Sequence, residues 1–210
     1  MIPSSWPQTP TKLLLDGPLG AIEAIAGSGS VEPSLIAVLC HPHSLHGGSM
    51  DNKVVTMLER TLRDAGAATL RFNFRGVGAS LGSFDSGLGE GEDLAAVVAQ
   101  ARAWAPQARL WLAGFSFGSY VAARMADSLS ADLLISVAPP VARFGFQDFA
   151  RPQCRWIVLQ GDADEVVAPA EVYAYFQALQ PPVEMLHFAD TSHFFHGKLV
   201  EMRERLGALL

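Results

Sequence analysis

The sequence predicts an α/β fold, a mostly parallel central sheet covered by helices on both faces and entered through an antiparallel hairpin. Three observations carry that expectation. Apolar runs of strand length alternate with stretches of helical periodicity along most of the 210 residues. Hydrophobic residues make up 50% of the chain and charged residues only 17%, as strands buried on both faces require. The pentapeptide Gly114, Phe115, Ser116, Phe117, Gly118 stands between one such strand and one such helix, the setting of a sharp turn that presents a serine.

The elements follow in order. After a proline-rich start, residues 12–15 and 21–26 read as two short strands, and the turn-forming stretch 16–20 joins them into the hairpin. Residues 34–40 (S-L-I-A-V-L-C) form a continuous apolar strand, and residues 52–65 place apolar side chains at helical spacing until Gly66 stops them. A strand at 68–74 leads to a helix near 92–104 with acidic residues in its first turn. The elbow strand 108–113, a helix at 119–128 and a strand at 133–138 come next. Two last units pair strand 155–160 with a helix near 168–179, and strand 183–188 with a helix near 197–209. Strands spaced by helices imply right-handed crossovers and a parallel sheet. Only residues 141–153 separate the strand ending near Ala138 from the next, which leaves no room for a lid domain and predicts an open site.

Composition narrows the classes. The length suits one domain over residues 1–210, with a core large enough to need no disulfide or metal staple. A net charge of -6 without a basic cluster offers nothing to a phosphate backbone, so no nucleic-acid partner is expected. No apolar run approaches the ~18 residues of a membrane span, and the first ten residues lack a basic and then apolar leader, so the expected location is cytoplasmic. Cys40 and Cys154 border apolar runs and read as unpaired core thiols. A monomer or a small homo-oligomer fits equally.

Ligands of parallel α/β sheets bind beyond the carboxyl ends of the strands, so reactive residues are sought there. His41 and His43 follow the 34–40 strand, Ser116 the elbow strand, Asp162 and Asp164 the 155–160 strand, and His193 the 183–188 strand. A serine hydroxyl needs an imidazole to take its proton and a carboxylate to hold the imidazole's tautomer. The chain supplies them in the order Ser116, acid, His193.

With G-F-S-F-G, the segments G-D-A-D-E-V-V (161–167) and A-D-T-S-H-F-F (189–195) resemble those of the serine α/β-hydrolase superfamily, dienelactone-hydrolase-like branch. H-P-H-S-L-H-G-G-S-M-D-N-K-V (41–54) and R-F-N-F-R-G-V-G-A-S (71–80) are similar to a bacterial subgroup of small, lid-free members. The resemblance runs from about residue 33 to the end. It implies an α/β-hydrolase fold without a cap domain, and a G-x-x-D acid at Asp164, three residues after Gly161. Asp162 then reads as a turn or helix-capping carboxylate, Glu165 as a solvated neighbour, and Asp190 as a loop residue. His193 is the implied base. The oxyanion donors are implied to be the N–H groups of Phe117 and His43. His41-Pro42-His43 stands where the family usually has His-Gly-x, which keeps Ser44 and Leu45 open as the second donor. Leu45, Phe115, Phe144 and Phe146 are expected to shape an apolar wall for small acyl groups. The expected activity is a carboxylesterase-like cleavage of a small-molecule ester without cofactor or metal; thioester, lactone and small-peptide hydrolysis would use the same triad.

Rival readings are weaker. His41, His43 and His46 match a zinc-hydrolase pattern except that Leu45 occupies the aspartate position. Gly76-Val77-Gly78 resembles part of a dinucleotide fingerprint, but Leu81 replaces its third glycine, so a turn braced by Arg75 is expected. A noncatalytic binding module would show a broken triad, and all three positions are filled.

Overall fold

A computed structural model describes residues 2–27 and 29–210. The predicted hairpin is strand β1 (Thr11–Gly17) paired antiparallel with β2 (Gly20–Ala26). The units that follow are β3 (Leu35–Cys40) with α1 (Lys53–Asp64), β4 (Ala68–Phe72) with α2 (Leu88–Trp104), and β5 (Arg109–Phe115) with α3 (Phe117–Met125). After β6 (Leu133–Val137) come β7 (Arg155–Gly161), α4 (Pro169–Gln177), β8 (Glu184–Phe188) and α5 (Leu199–Gly207). All eight strands join one sheet in the order β1-β2-β4-β3-β5-β6-β7-β8. From β4 onward the neighbours are parallel, and β2 meets β4 antiparallel.

Two apolar layers sandwich the sheet because successive strand side chains face opposite ways. Ile36, Val38 and Cys40 of β3 pack with Leu94 and Val97 of α2, Val121 of α3 and Phe176 of α4. Leu35, Ala37 and Leu39 face the other way, onto Val55 and Leu58 of α1 and Met202 of α5. The chain order reverses between β3 and β5, which opens a crevice at their carboxyl ends where a ligand can enter. Between β6 and β7 the described residues form only a short 3-10 turn, Phe146–Asp148, and no lid domain among them covers that crevice.

Several boundaries shift by two or three residues, and the largest departure from the expectation is at the start of α2. Helix α2 begins at Leu88, four residues before Glu92, because Gly89 and Gly91 look like breakers but are needed for packing. A side chain at 89 would overlap the Arg75 guanidinium, which lies buried against Asp93 with its Nη2 2.8 Å from Oδ1. Glu90 reaches back to accept the N–H groups of Asp85 and Gly87 at 2.9 and 2.7 Å, closing the helix start. Arg75 therefore braces the turn at 76–78 by binding α2. Cys40 is buried as expected, whereas Cys154 is only half-buried; both are free thiols.

Candidate active site

The pentapeptide folds as a strand-to-helix elbow. Ser116 stands between β5 and α3 with φ 52° and ψ −122°, a conformation that L-residues rarely adopt and that a rigid surround must hold. Its N–H donates to the Val137 carbonyl of β6 at 2.8 Å, while its own carbonyl accepts the Ser119 N–H and hydroxyl at 2.8 and 2.6 Å. Glycine is required on both sides by close approach: a Cβ at 114 would stand 2.5 Å from Ser119 N, and one at 118 would stand 2.5 Å from the His41 carbonyl oxygen.

Three side chains from three loops converge. Ser116 Oγ lies 3.1 Å from His193 Nε2, and His193 Nδ1 lies 2.8 Å from Asp164 Oδ2. The distance along the chain from Ser116 to His193 is 77 residues, so only the sheet brings them together. Asp164 Oδ1 accepts the N–H groups of Val166 and Val167 at 2.9 and 2.7 Å. Burial pushes the Asp164 carboxyl upward, but the His193 and Val167 hydrogen bonds outweigh it and hold the group below the usual carboxylate range. An ionised Asp164 can only accept, so Nδ1 carries the hydrogen and the Nε2 lone pair faces the serine hydroxyl. The His193 ring is clasped by Phe115 and Phe194, whose centroids lie 5.0 and 5.1 Å away.

The loop after β3 supplies backbone donors. His43 O accepts the N–H groups of His46 and Gly48 at 3.1 and 3.0 Å, and His43 Nδ1 accepts that of Leu45 at 3.3 Å. The Leu45 amide is thereby engaged, while those of His43 and Ser44 have no hydrogen-bond partner among the described residues. The N–H of Phe117, the first residue of α3, has no hydrogen-bond partner among the described residues, for the same geometric reason as any first helical turn. The His43 ring stacks on Phe84 at 4.5 Å and lies 5.2 Å from Phe117, which fixes the loop beside the elbow.

A cavity of about 510 Å³ opens above Ser116. His43, Phe117, Phe144 and His193 are among the residues that line it. Leu45, Phe115 and Phe146 do not: Leu45 projects into solvent, Phe115 is buried in the sheet behind His193, and Phe146 is buried in the layer formed with α2, α3 and α4. Sequence reasoning missed Val166, Val167 and Phe194 in the wall, and His46, Asn52 and Arg143 at its polar side. The only signal for the first three was their place beside Asp164 and His193.

Neighbouring groups surround the triad, and only some of them sit where the sequence led one to look. Asp162 lies in the turn directly after β7, one of its two expected roles, and does not cap α4, whose N-cap is Ala168; its carboxylate accepts the Tyr173 hydroxyl. Glu165 is exposed but is more than a solvated neighbour, since Oε2 accepts the His193 N–H at 3.1 Å. Asp190 adopts a left-handed φ of 51° in the loop before His193. His41 cannot join His43 and His46 around a metal, because both of its ring nitrogens are engaged in the core: Nε2 accepts the Phe74 N–H at 3.0 Å, and Nδ1 donates to the Pro42 carbonyl at 2.6 Å. Burial accordingly pushes its pKa down to about 4.

The family model for the alpha/beta hydrolase domain matches residues 37–205. A crystal structure from Xanthomonas campestris, XC6422, described as an a/b serine hydrolase without lid, is 47% identical, covering 96% of this chain and 94% of that one, with a TM-score of 0.91. An alpha-beta serine hydrolase homologue from Coxiella burnetii is 45% identical over 98% of this chain and 100% of that one, with a TM-score of 0.93. The Rickettsia prowazekii protein RP471, called uncharacterized, is 35% identical over 95% of this chain and 88% of its own length.

Proposed function

The chain belongs to the alpha/beta hydrolase domain family, and on that premise we propose that it is a serine hydrolase that cleaves small ester-type substrates through an acyl-enzyme. The observation that carries the reading is the continuous relay Ser116–His193–Asp164, with gaps of 3.1 and 2.8 Å, opening into a cavity. Ser116 Oγ attacks the substrate carbonyl carbon as its proton passes to His193 Nε2. Asp164 holds Nδ1–H in place and stabilises the imidazolium that forms. The Phe117 N–H and an N–H of the His43–Ser44 pair receive the negative charge on the carbonyl oxygen.

Collapse of the tetrahedral intermediate breaks the bond to the leaving oxygen, which takes the proton from His193. Water then attacks the acyl-serine, gives its proton to His193 and returns Ser116 to its starting state as the acid departs. Phe144, Val166, Val167 and Phe194 offer an apolar wall for a small acyl group, and a crevice with no lid domain among the described residues suits a substrate that enters directly from solvent. The small-molecule ester is thus the favoured substrate, with thioesters and lactones reacting by the same steps.

Turnover of p-nitrophenyl esters of graded acyl length, with fluorophosphonate labelling, tests the reading. Ser116→Ala is expected to abolish labelling and to lower kcat by roughly 10⁵ to 10⁶. Labelling at the parent's rate in that variant would refute the mechanism.

A further inference from the structure

Gln160, the penultimate residue of β7, is fully buried and carries an amide whose two ends are treated differently. Its Nε2 donates to the Gly161 carbonyl at 3.0 Å and to Asp164 Oδ2 at 3.1 Å. Its Oε1 is buried and finds no hydrogen-bond partner. Turning the amide over would aim Oε1 at two acceptors, a carbonyl and a carboxylate, so this orientation is the one the surroundings impose. An apolar side chain of similar shape would avoid the unpaired oxygen, which costs stability wherever it is buried. A residue kept for packing alone would therefore be apolar.

The oxygen that Gln160 binds explains the amide. Asp164 Oδ2 is the atom that accepts His193 Nδ1, and Oδ1 is already held by Val166 and Val167. Gln160 is the remaining donor to the carboxylate, and it comes from the strand while the two amides on Oδ1 come from the loop that follows. The geometry points to Gln160 as a positioning residue that aims Asp164 Oδ2 at His193 and moderates how strongly that oxygen pulls on the imidazole. The inference rests on the triad reading and adds to it a residue that touches no substrate. Other titratable groups around the pair are Glu165 on the His193 N–H, and Asp162 with Tyr173 on the far side of the loop.

Gln160→Met removes both donors while filling the same space. For p-nitrophenyl butyrate, kcat is expected to fall about tenfold to a hundredfold, the range seen when an outer partner of a reactive group is lost, with KM little changed. The acid limb of the kcat/KM profile moves to higher pH, since a carboxylate with one donor fewer holds the imidazolium more tightly. Gln160→Glu, the same shape, serves as the second variant. Its carboxyl shares a proton with Asp164 and donates it to Oδ2, so activity is greatest just above the acid limb set by His193 and falls on the basic side as that proton leaves.

Parent-like kcat and pH profiles in both variants would overturn the role, as would activity lost only in step with thermal stability. Labelling keeps the two readings apart. If Ser116→Ala is silent toward fluorophosphonate while Gln160→Met reacts at the parent's rate, the positioning role alone falls; if Ser116→Ala still reacts, the nucleophile reading falls first.

Discussion

Acidification will destabilise this protein through His41, and the size of the effect follows from the surroundings of one ring. The side chain is fully buried, Nε2 accepts the Phe74 N–H, and Nδ1 donates to the Pro42 carbonyl. A proton added at Nε2 would face a donor and would sit in an apolar layer next to the Phe74 ring, whose centroid is 4.7 Å away. The folded-state pKa falls from its usual 6.5 to about 4, chiefly through burial. The unfolded chain therefore binds the proton first. Stability is fully present above pH 6.5 and is lost as the pH falls toward 4. A difference of about 2.5 pKa units at ~1.36 kcal/mol each corresponds to roughly 3 kcal/mol at the limit, of which about 2 kcal/mol appears between about pH 7 and about pH 4.5. Urea denaturation across that range measures it for the parent and for His41→Gln, which keeps an acceptor for Phe74 and cannot take up a proton. Burial and the neighbouring His46 lower the His43 pKa too, but that contribution is common to both proteins and cancels in the difference. Parallel pH dependences in the two proteins would refute the account.

The remaining expectations concern the site. Asp164→Asn should lower turnover by about 10⁴ through loss of the useful His193 tautomer, whereas Asp162→Asn, which keeps an oxygen to accept the Tyr173 hydroxyl, should leave kcat close to the parent's; ester kinetics on both variants decide. Gly118→Ala forces a methyl against the carbonyls of Cys40 and His41, so denaturation should show a loss of at least about 1–3 kcal/mol, and fluorophosphonate labelling should slow as the elbow and the oxyanion loop are pushed apart.

The strands and most helices were legible because their signal is local. A run such as Leu35–Cys40 is apolar throughout, and a buried parallel strand needs nothing else. The start of α2 was not legible, because Gly89 breaks helices in isolation and is retained for the Arg75 guanidinium, a contact between distant segments. The site divides in the same way. Ser116, Asp164 and His193 each sit at a strand end that the sequence marks. The cavity wall does not, since Phe115 and Phe146 differ from Phe144 only in the direction that the backbone gives the ring.

By itself the sequence determined the strand and helix alternation, the glycine-flanked serine and the order serine, acid, histidine, because periodicity and turn chemistry are properties of neighbouring residues. The tertiary structure decided which atoms meet. It put Ser116 within 3.1 Å of an imidazole 77 residues away, fastened His41 into the core and Leu45 out of the wall, and turned a buried glutamine toward the carboxylate. Hydrogen-bond partners and cavity walls depend on distance and direction in three dimensions, and neither is encoded in the spacing of residues along the chain.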